Sequence, residues 1–296
     1  MEKKNIFLIL LIVGTAFWGI TFPVTKMASG NTSSATFVFY RFLGATIVMS
    51  ILFAKQLKQI SLVNIKRGGI LAVSLTAGIF LQTHGLKYTS AAQCAFVAGT
   101  TVIILPVIKL IFYKKAVDWK IWVAAGMALT GLFVISIKGN FTVNMGDLYT
   151  MLGAIGFAFY LINVERFSDT NNSLATTIPM FAMSAVIAFI ISMLDSAAVW
   201  LPESNTFWLG IAFCALFSTA YMYTVSNISQ KYISAEKVVI IFLFEPVFAA
   251  IASYFLLDES LSWRLLVGGC LIFTGTLIPE IKFNNYRNAF ILLRKR

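Results

Sequence analysis

Apolar residues run along this chain in stretches of about 20, the length needed to cross a hydrocarbon core as a helix, and short polar gaps separate them. Ten such stretches are visible: 5–26, 33–54, 67–86, 91–113, 119–138, 146–166, 173–194, 206–228, 235–256 and 263–281. The gaps carry turn and cap residues, among them Gly30-Asn31-Thr32-Ser33, Lys138-Gly139-Asn140 and Asp258-Glu259-Ser260. Ser33 and Asn31 can each cap the second stretch by accepting a bond from its free N–H groups. The pattern predicts an all-α membrane protein of ten spanning helices. Lys3 and Lys4 before an apolar run resemble a signal peptide. The run is too long for one and lacks a small-residue cleavage site, so it reads as a first spanning helix. The tail 282–296 is basic and partly apolar, suited to lying on a membrane surface.

Composition agrees with the pattern. Of the 296 residues, 59% are apolar and only 12% are charged, about half the charged fraction of a soluble domain. The net charge of +11 would suggest nucleic acid on a soluble protein. Here the Lys and Arg residues sit mostly in the gaps, and no basic stripe on a soluble face exists, so nucleic acid is excluded as a partner and membrane lipid takes its place. With ten helices both termini share one side. That side holds 17 of the 23 Lys and Arg residues, and the other holds five. The asymmetry predicts cytoplasmic termini in a plasma-membrane protein. Cys94, Cys214 and Cys270 all lie in apolar stretches without a second Cys or a His at ligand spacing, so neither a metal nor a cofactor is expected.

The chain also repeats itself. At an offset of 144, Lys87-Tyr88-Thr89-Ser90-Ala91 matches Lys231-Tyr232-Ile233-Ser234-Ala235, Asp118-Trp119-Lys120 matches Ser262-Trp263-Arg264, and Thr130-Gly131 matches Thr274-Gly275. The first helix aligns with the sixth at an offset of 139 to 141. Each half therefore has five helices, 5–138 and 146–281, followed by the tail 282–296. Five is odd, so the halves enter the membrane in opposite senses. Inverted repeats of this kind belong to secondary transporters, whose two halves exchange open states around a central site.

Several short motifs carry a resemblance. Ala16-Phe17-Trp18-Gly19, Tyr40-Arg41-Phe42 and Gly85-Leu86-Lys87-Tyr88-Thr89-Ser90-Ala91 resemble the first EamA repeat. Gly146-Asp147-Leu148, the aromatic run from Phe157 to Tyr160, and Glu245-Pro246-Val247-Phe248 with Leu257-Asp258-Glu259 resemble the second. Their order over residues 5 to 281 is similar to that of permeases of the drug/metabolite transporter superfamily. The resemblance implies ten helices as two inverted EamA repeats, cytoplasmic termini, and carriage of a small organic metabolite such as an amino acid. One departure is that the repeat partner of Glu245-Pro246 is Thr101-Val102, with a proline at Pro106 instead. Any proton or cation role is then one-sided.

Charges inside a bilayer cost about 2.5–3.5 kcal/mol each at a helix centre and persist where they are paired or line a cavity. Glu245 lies ~15 Å into the ninth helix and Arg41 ~12 Å into the second from the opposite face, at 1.5 Å per residue. The two fall at nearly one depth, so they either pair or flank one polar cavity. A zwitterion would present its carboxylate to Arg41 and its ammonium to Glu245, and Glu245 is also the candidate for a coupling ion. The competing reading is a structural ion pair, or backbone satisfaction beside Pro246. Trp18, Tyr160, Thr101 and Tyr221 complete the candidate substrate-binding set, joined more weakly by Thr21, Thr100 and Ser218. Lys109 is expected to snorkel toward the interface, and His84 to be interfacial. The glycines at 14, 19, 153, 156, 268 and 269 are expected to let helices approach closely.

The favoured function is a secondary carrier for a small metabolite, most simply an amino acid or related zwitterion or amine. A lipid-active membrane enzyme would need clustered Asp, His or Ser groups, and none is visible. An adaptor would not need intramembrane charge. No G-x-x-x-x-G-K-[ST] motif is present, so the energy source is a gradient of proton, sodium or substrate rather than ATP bound by this chain. A monomer and a homodimer are equally compatible with the sequence.

Overall fold

A computed structural model of the chain describes residues 3–30, 32–136, 144–168, 173–257 and 263–280. Among these residues every regular element is helical. Besides two short turns of helix, Ala54–Leu57 and Ile278–Glu280, they are in chain order α1 (Lys3–Ser29), α2 (Ser34–Leu52), α3 (Leu62–Gly85), α4 (Ala91–Gly99 and Thr101–Phe112), α5 (Trp119–Ser136), α6 (Met145–Phe167), α7 (Ser173–Met193), α8 (Asn205–Ser229), α9 (Ala235–Phe242 and Glu245–Leu257) and α10 (Trp263–Leu277). Eight of them, all but α5 and α10, are long and apolar enough to cross a membrane. The other two contain shorter apolar stretches, Trp119–Val134 and Leu266–Leu277. The expected Asn31 cap, the turns at 138–140 and 258–260 and the tail 282–296 lie outside the described residues.

Helix starts follow the sequence. Ser33 accepts from the N–H groups of Ala35 and Thr36 and so caps α2. Asn144 and Asp147 form a capping box at the start of α6, each side chain accepting from the other's backbone N–H. Large apolar side chains such as Val73, Leu209, Phe255 and Leu266 stand exposed around the outside of the bundle, an arrangement suited to hydrocarbon rather than water.

The helices pack in matched pairs. α1 lies against α8 and α9, and α6 lies against α3 and α4. α2 contacts α8, and α7 contacts α3. α2 with α7, α4 with α9 and α5 with α10 close the set. The α3–α6 seam is the tightest kind of contact: a Cβ on Gly153 would sit 2.8 Å from the Gly78 carbonyl oxygen, a distance only glycine permits. The chain termini's end of the bundle is marked by a contact among α4, α6 and α9 through Lys109, Glu165 and Glu236. The opposite, distal end is marked by Lys26 reaching the Thr89 carbonyl and Ser33 reaching Asp195.

Candidate functional site

Two helices break in the middle. In α9 the break falls at Leu243 and Phe244, whose N–H groups turn back to Ile240 and Ile241, three residues behind. Pro246 explains it: the ring has no N–H and would collide with the carbonyl four residues earlier, so the helix ends and restarts. Proline is tolerated in the first turn of the new segment, where an N–H would be free anyway. In α4 the break falls at Thr100. There the hydroxyls of Thr100 and Thr101 donate to the carbonyls of Val97 and Ala98, at 2.6 and 2.7 Å, which satisfies backbone groups that the break releases. The two breaks occupy equivalent places at the 144-residue offset.

The breaks face one cavity of about 70 Å³. Glu245, Thr101, Arg41 and Trp18 all line it. Glu245 opens the second segment of α9, where the free N–H groups of a helix start favour a negative charge. The Gly19 side of α1 packs against this start so closely that a Cβ would meet the Glu245 carbonyl oxygen at 2.7 Å. Arg41 is 3% exposed. Its Nε donates to Thr219 Oγ1 at 2.7 Å and one terminal nitrogen donates to Ser218 Oγ at 3.1 Å. Among the described residues Arg41 and Glu245 make no ion pair, so they flank the cavity rather than close on each other.

Arg41 owes its hold to an irregular stretch of α8. Residues Cys214–Tyr221 form a π-helix, a wide turn often found at functional sites. The Ser218 carbonyl there accepts from the Trp18 indole at 2.7 Å. Trp18 in turn meets Phe157 and Phe242 edge to face, with centroids 5.5 and 4.7 Å apart, and leans on Tyr223 at 5.2 Å. These four rings floor the cavity toward the termini's end. The rest of the lining comes from α9, with Val239, Leu243 and Pro246, and from the distal halves of α1, α3, α4 and α6, including Thr25, Gln82, Thr83, Ala95 and Ala154.

Four expected lining residues, Tyr160, Tyr221 and the weaker candidates Thr100 and Ser218, lie outside the lining, while Thr21 belongs to it. Tyr160 is fully buried beneath the floor, where its hydroxyl donates to Asn227 Oδ1 at 2.5 Å and Asn227 donates on to Thr177. Tyr221 sits on the π-helix among Phe17 and neighbouring rings and donates to the Leu10 carbonyl. Both hydroxyls are satisfied within the protein, outside the cavity lining. Lys109 corrects a further expectation. It does not snorkel: it is 4% exposed and held between Glu165 and Glu236, the latter at 2.7 Å. His84 packs edge to face on Tyr149 near the distal end of α3.

The profile of the EamA-like transporter family matches residues 5–137 and again 144–279. The chain belongs to that family. It is 27% identical to the uncharacterized transporter YyaM of Bacillus subtilis, over 94% of each chain, and 25% identical to an uncharacterized transporter of Archaeoglobus fulgidus, over 90% of this chain and 82% of the other. An S-adenosylmethionine uptake transporter of Rickettsia bellii is 24% identical over 86% of each. A solved crystal structure of 15% identity superposes with a TM-score of 0.74 over 92% of this chain and 96% of that one, which supports the fold. This EamA chain is thus a multi-pass membrane transporter, from a family of transporters rather than enzymes. Of the residues that floor its cavity, Phe157 stands out in the sequence only as part of the aromatic run to Tyr160, and Phe242 and Tyr223, aromatic residues in apolar runs, give no signal. Ser218 and Thr219 matter only because a wide turn brings them to Arg41.

Proposed function

We propose that this EamA-family chain is a secondary carrier that moves an amino acid, or a related zwitterion or amine, across the plasma membrane by alternating access. Its ten helices form two inverted five-helix repeats, 5–138 and 146–281, with the tail 282–296 and both termini cytoplasmic. The pairing of helices supports the inverted arrangement: most contacts between two helices, among them α1–α9 and α6–α4, have a counterpart between the helices five places on. The observation that carries the function is the cavity itself. It sets one carboxylate, at the break of α9, and one guanidinium, from α2, without an ion pair between them, in a cavity that the breaks of two discontinuous helices line. Broken helices at mid-depth are where such carriers bind substrates and coupling ions.

Arg41 keeps donor capacity beyond its bonds to Thr219 and Ser218, and a substrate carboxylate meets it with paired hydrogen bonds. Glu245 receives the ammonium, or a coupling proton or sodium ion when substrate is absent. Trp18, Phe157, Phe242 and Tyr223 present ring faces that attract a cation or stack on a flat group. S-adenosylmethionine, the compound in the name of the Rickettsia relative, has a carboxylate, an ammonium, a sulfonium and an aromatic base, and each would find a counterpart here. Thr101 contributes to the wall, while Tyr160 and Tyr221 support the site from outside it.

The test is a thermal-shift screen of purified protein against amino acids, amines, nucleosides and S-adenosylmethionine, since a ligand of the folded state stabilises it by mass action. A zwitterion that raises the melting temperature of the wild type, but not of Glu245→Gln, bears the reading out. No shift from any small metabolite favours a membrane adaptor.

A further inference from the structure

We propose that Lys109, Glu165 and Glu236 form a charge-locked gate that shuts the cavity at the termini's end, and that parting this triad opens the cavity to that side. The inference rests on the alternating-access reading. The cavity does not run through the protein: its lining ends on the Trp18, Phe157, Tyr223 and Phe242 rings and on Val239. Glu236 lies one turn of α9 beyond Val239, ~4.5 Å further along the axis at 1.5 Å per residue. There it meets Lys109 Nζ at 2.7 Å, and Lys109 also binds Glu165. Glu165 accepts the Ala235 N–H at 3.2 Å through its other oxygen, which ties α6 to the start of α9. Three helices, one from the first repeat and two from the second, are therefore held at one point.

The charges are costly for a mere fastener. A buried ion cluster adds little stability over well-packed apolar side chains of the same size, yet it fixes one arrangement of the groups around it. It also suits a gate. The attraction is strong while the site is dry and weak once water enters. Side-chain exposure is 5% at Lys109, 10% at Glu236 and 25% at Glu165, so Glu165 is the member nearest to water. The repeat supplies the contrast: at the 144-residue offset the partners of Glu236 and Lys109 are Ala92 and Ser253. The position matching Glu165 falls on residues 24–26, where Lys26 donates to the Thr89 carbonyl at 3.0 Å, so at the matching positions the distal end carries one hydrogen bond to backbone in place of a cluster of three charges.

The experiment reads access to the cavity floor. Val239→Cys is placed in the full chain with the exposed Cys270 replaced by Ala, and a membrane-impermeant maleimide is applied to right-side-out and inside-out vesicles. The face bearing the termini is identified by proteolytic removal of a C-terminal tag. The parent should label faster from the distal face and slowly from the termini's face. Adding Lys109→Met, Glu165→Gln and Glu236→Gln together, which leaves no lone charge, should raise labelling from the termini's face by about tenfold, a shift within the reach of states a few kcal/mol apart. Lys109→Arg should keep the parent's preference.

If the parent labels from both faces and the triple variant leaves the ratio unchanged, the gate is overturned while alternating access stands. If parent and variant label from one face only, both ideas fail. Should the triple variant not fold, Glu165→Gln alone must shift the ratio in the same direction, and an unchanged ratio there overturns the gate.

Discussion

α4 and α9 share a break at equivalent places but differ in what the break presents. α9 restarts on Glu245-Pro246, with a carboxylate at the cavity. α4 restarts on Thr101, whose hydroxyl is spent on the Ala98 carbonyl. In α9 a proline enforces the break, and in α4 threonine hydroxyls accommodate it. The lesson is that the repeat preserves backbone geometry while the chemistry resides on one side. One of two matching breaks can thus present an acid without the other doing so.

The largest effect tests that one-sidedness directly. Glu245→Gln should bring transport in reconstituted vesicles to the level of empty ones while the protein still inserts and elutes as a folded species. Thr101→Val should keep transport within a few-fold of wild type. Equal losses in the two variants would mean that the chemistry is shared by both breaks after all. Next in size, Arg41→Lys keeps the charge but cannot reproduce the two-nitrogen grip on Thr219 and Ser218. The half-saturating substrate concentration should rise by about tenfold, the equivalent of ~1.4 kcal/mol, with a smaller change in maximal rate. A loss confined to maximal rate would remove Arg41 from substrate binding.

Gly19→Ala places a methyl 2.7 Å from the Glu245 carbonyl oxygen. Overpacking of this kind costs about 1–3 kcal/mol, so detergent-solubilised protein should melt at a lower temperature. An unchanged melting point would show that α1 and α9 separate freely there. Thr101→Val should cost stability by only ~0.5–1.5 kcal/mol, one net hydrogen bond.

The smallest effect lies outside the membrane. The Ser33 hydroxyl donates to Asp195 Oδ2 at 2.6 Å and the Ala197 N–H donates to Oδ1. These bonds hold the Asp195 carboxyl below its ordinary value of 3.8. A carboxyl lowered by folding stabilises the fold above its unfolded value, and that contribution fades as the pH falls through the folded one. Ser33→Ala should therefore lower the melting temperature at every pH through loss of the α2 cap, and by slightly more at pH 7 than at strongly acidic pH. A pH-independent difference would assign Ser33 to helix capping alone.

Much of the architecture is legible in the sequence because the bilayer imposes a coarse rule. Apolar runs of spanning length, a polar gap, then another run mark helices without any knowledge of their partners, and Ser33 caps α2 as its type suggests. Glu245 and Arg41 stand out because a charge in an apolar run is expensive, and depth counting brings them to one level. Lys109 follows the same logic and is misread, since its partners lie 56 and 127 residues away and nothing local signals them. Tyr160 and Tyr221 are misplaced for a related reason: depth along a helix is readable, but which side faces a cavity depends on neighbours. The break in α4 is hidden because neither Gly99 nor Thr100 forbids a helix, and Pro106 suggests a kink six residues later.

The wide turn in α8 constrains how this chain can change. A π-helix is an α-helix carrying surplus residues, so its side chains are interchangeable to a degree that its length is not. Removing one residue between Cys214 and Tyr221 would let the backbone relax into ordinary α-helix, with the side chains after it close to their present faces. Ser218 and Thr219 would then lose the wide turn that brings them to Arg41, although neither residue had been altered. A deletion in the regular turns that follow, Met222–Ser229, would instead swing every later side chain by about 100° around the axis.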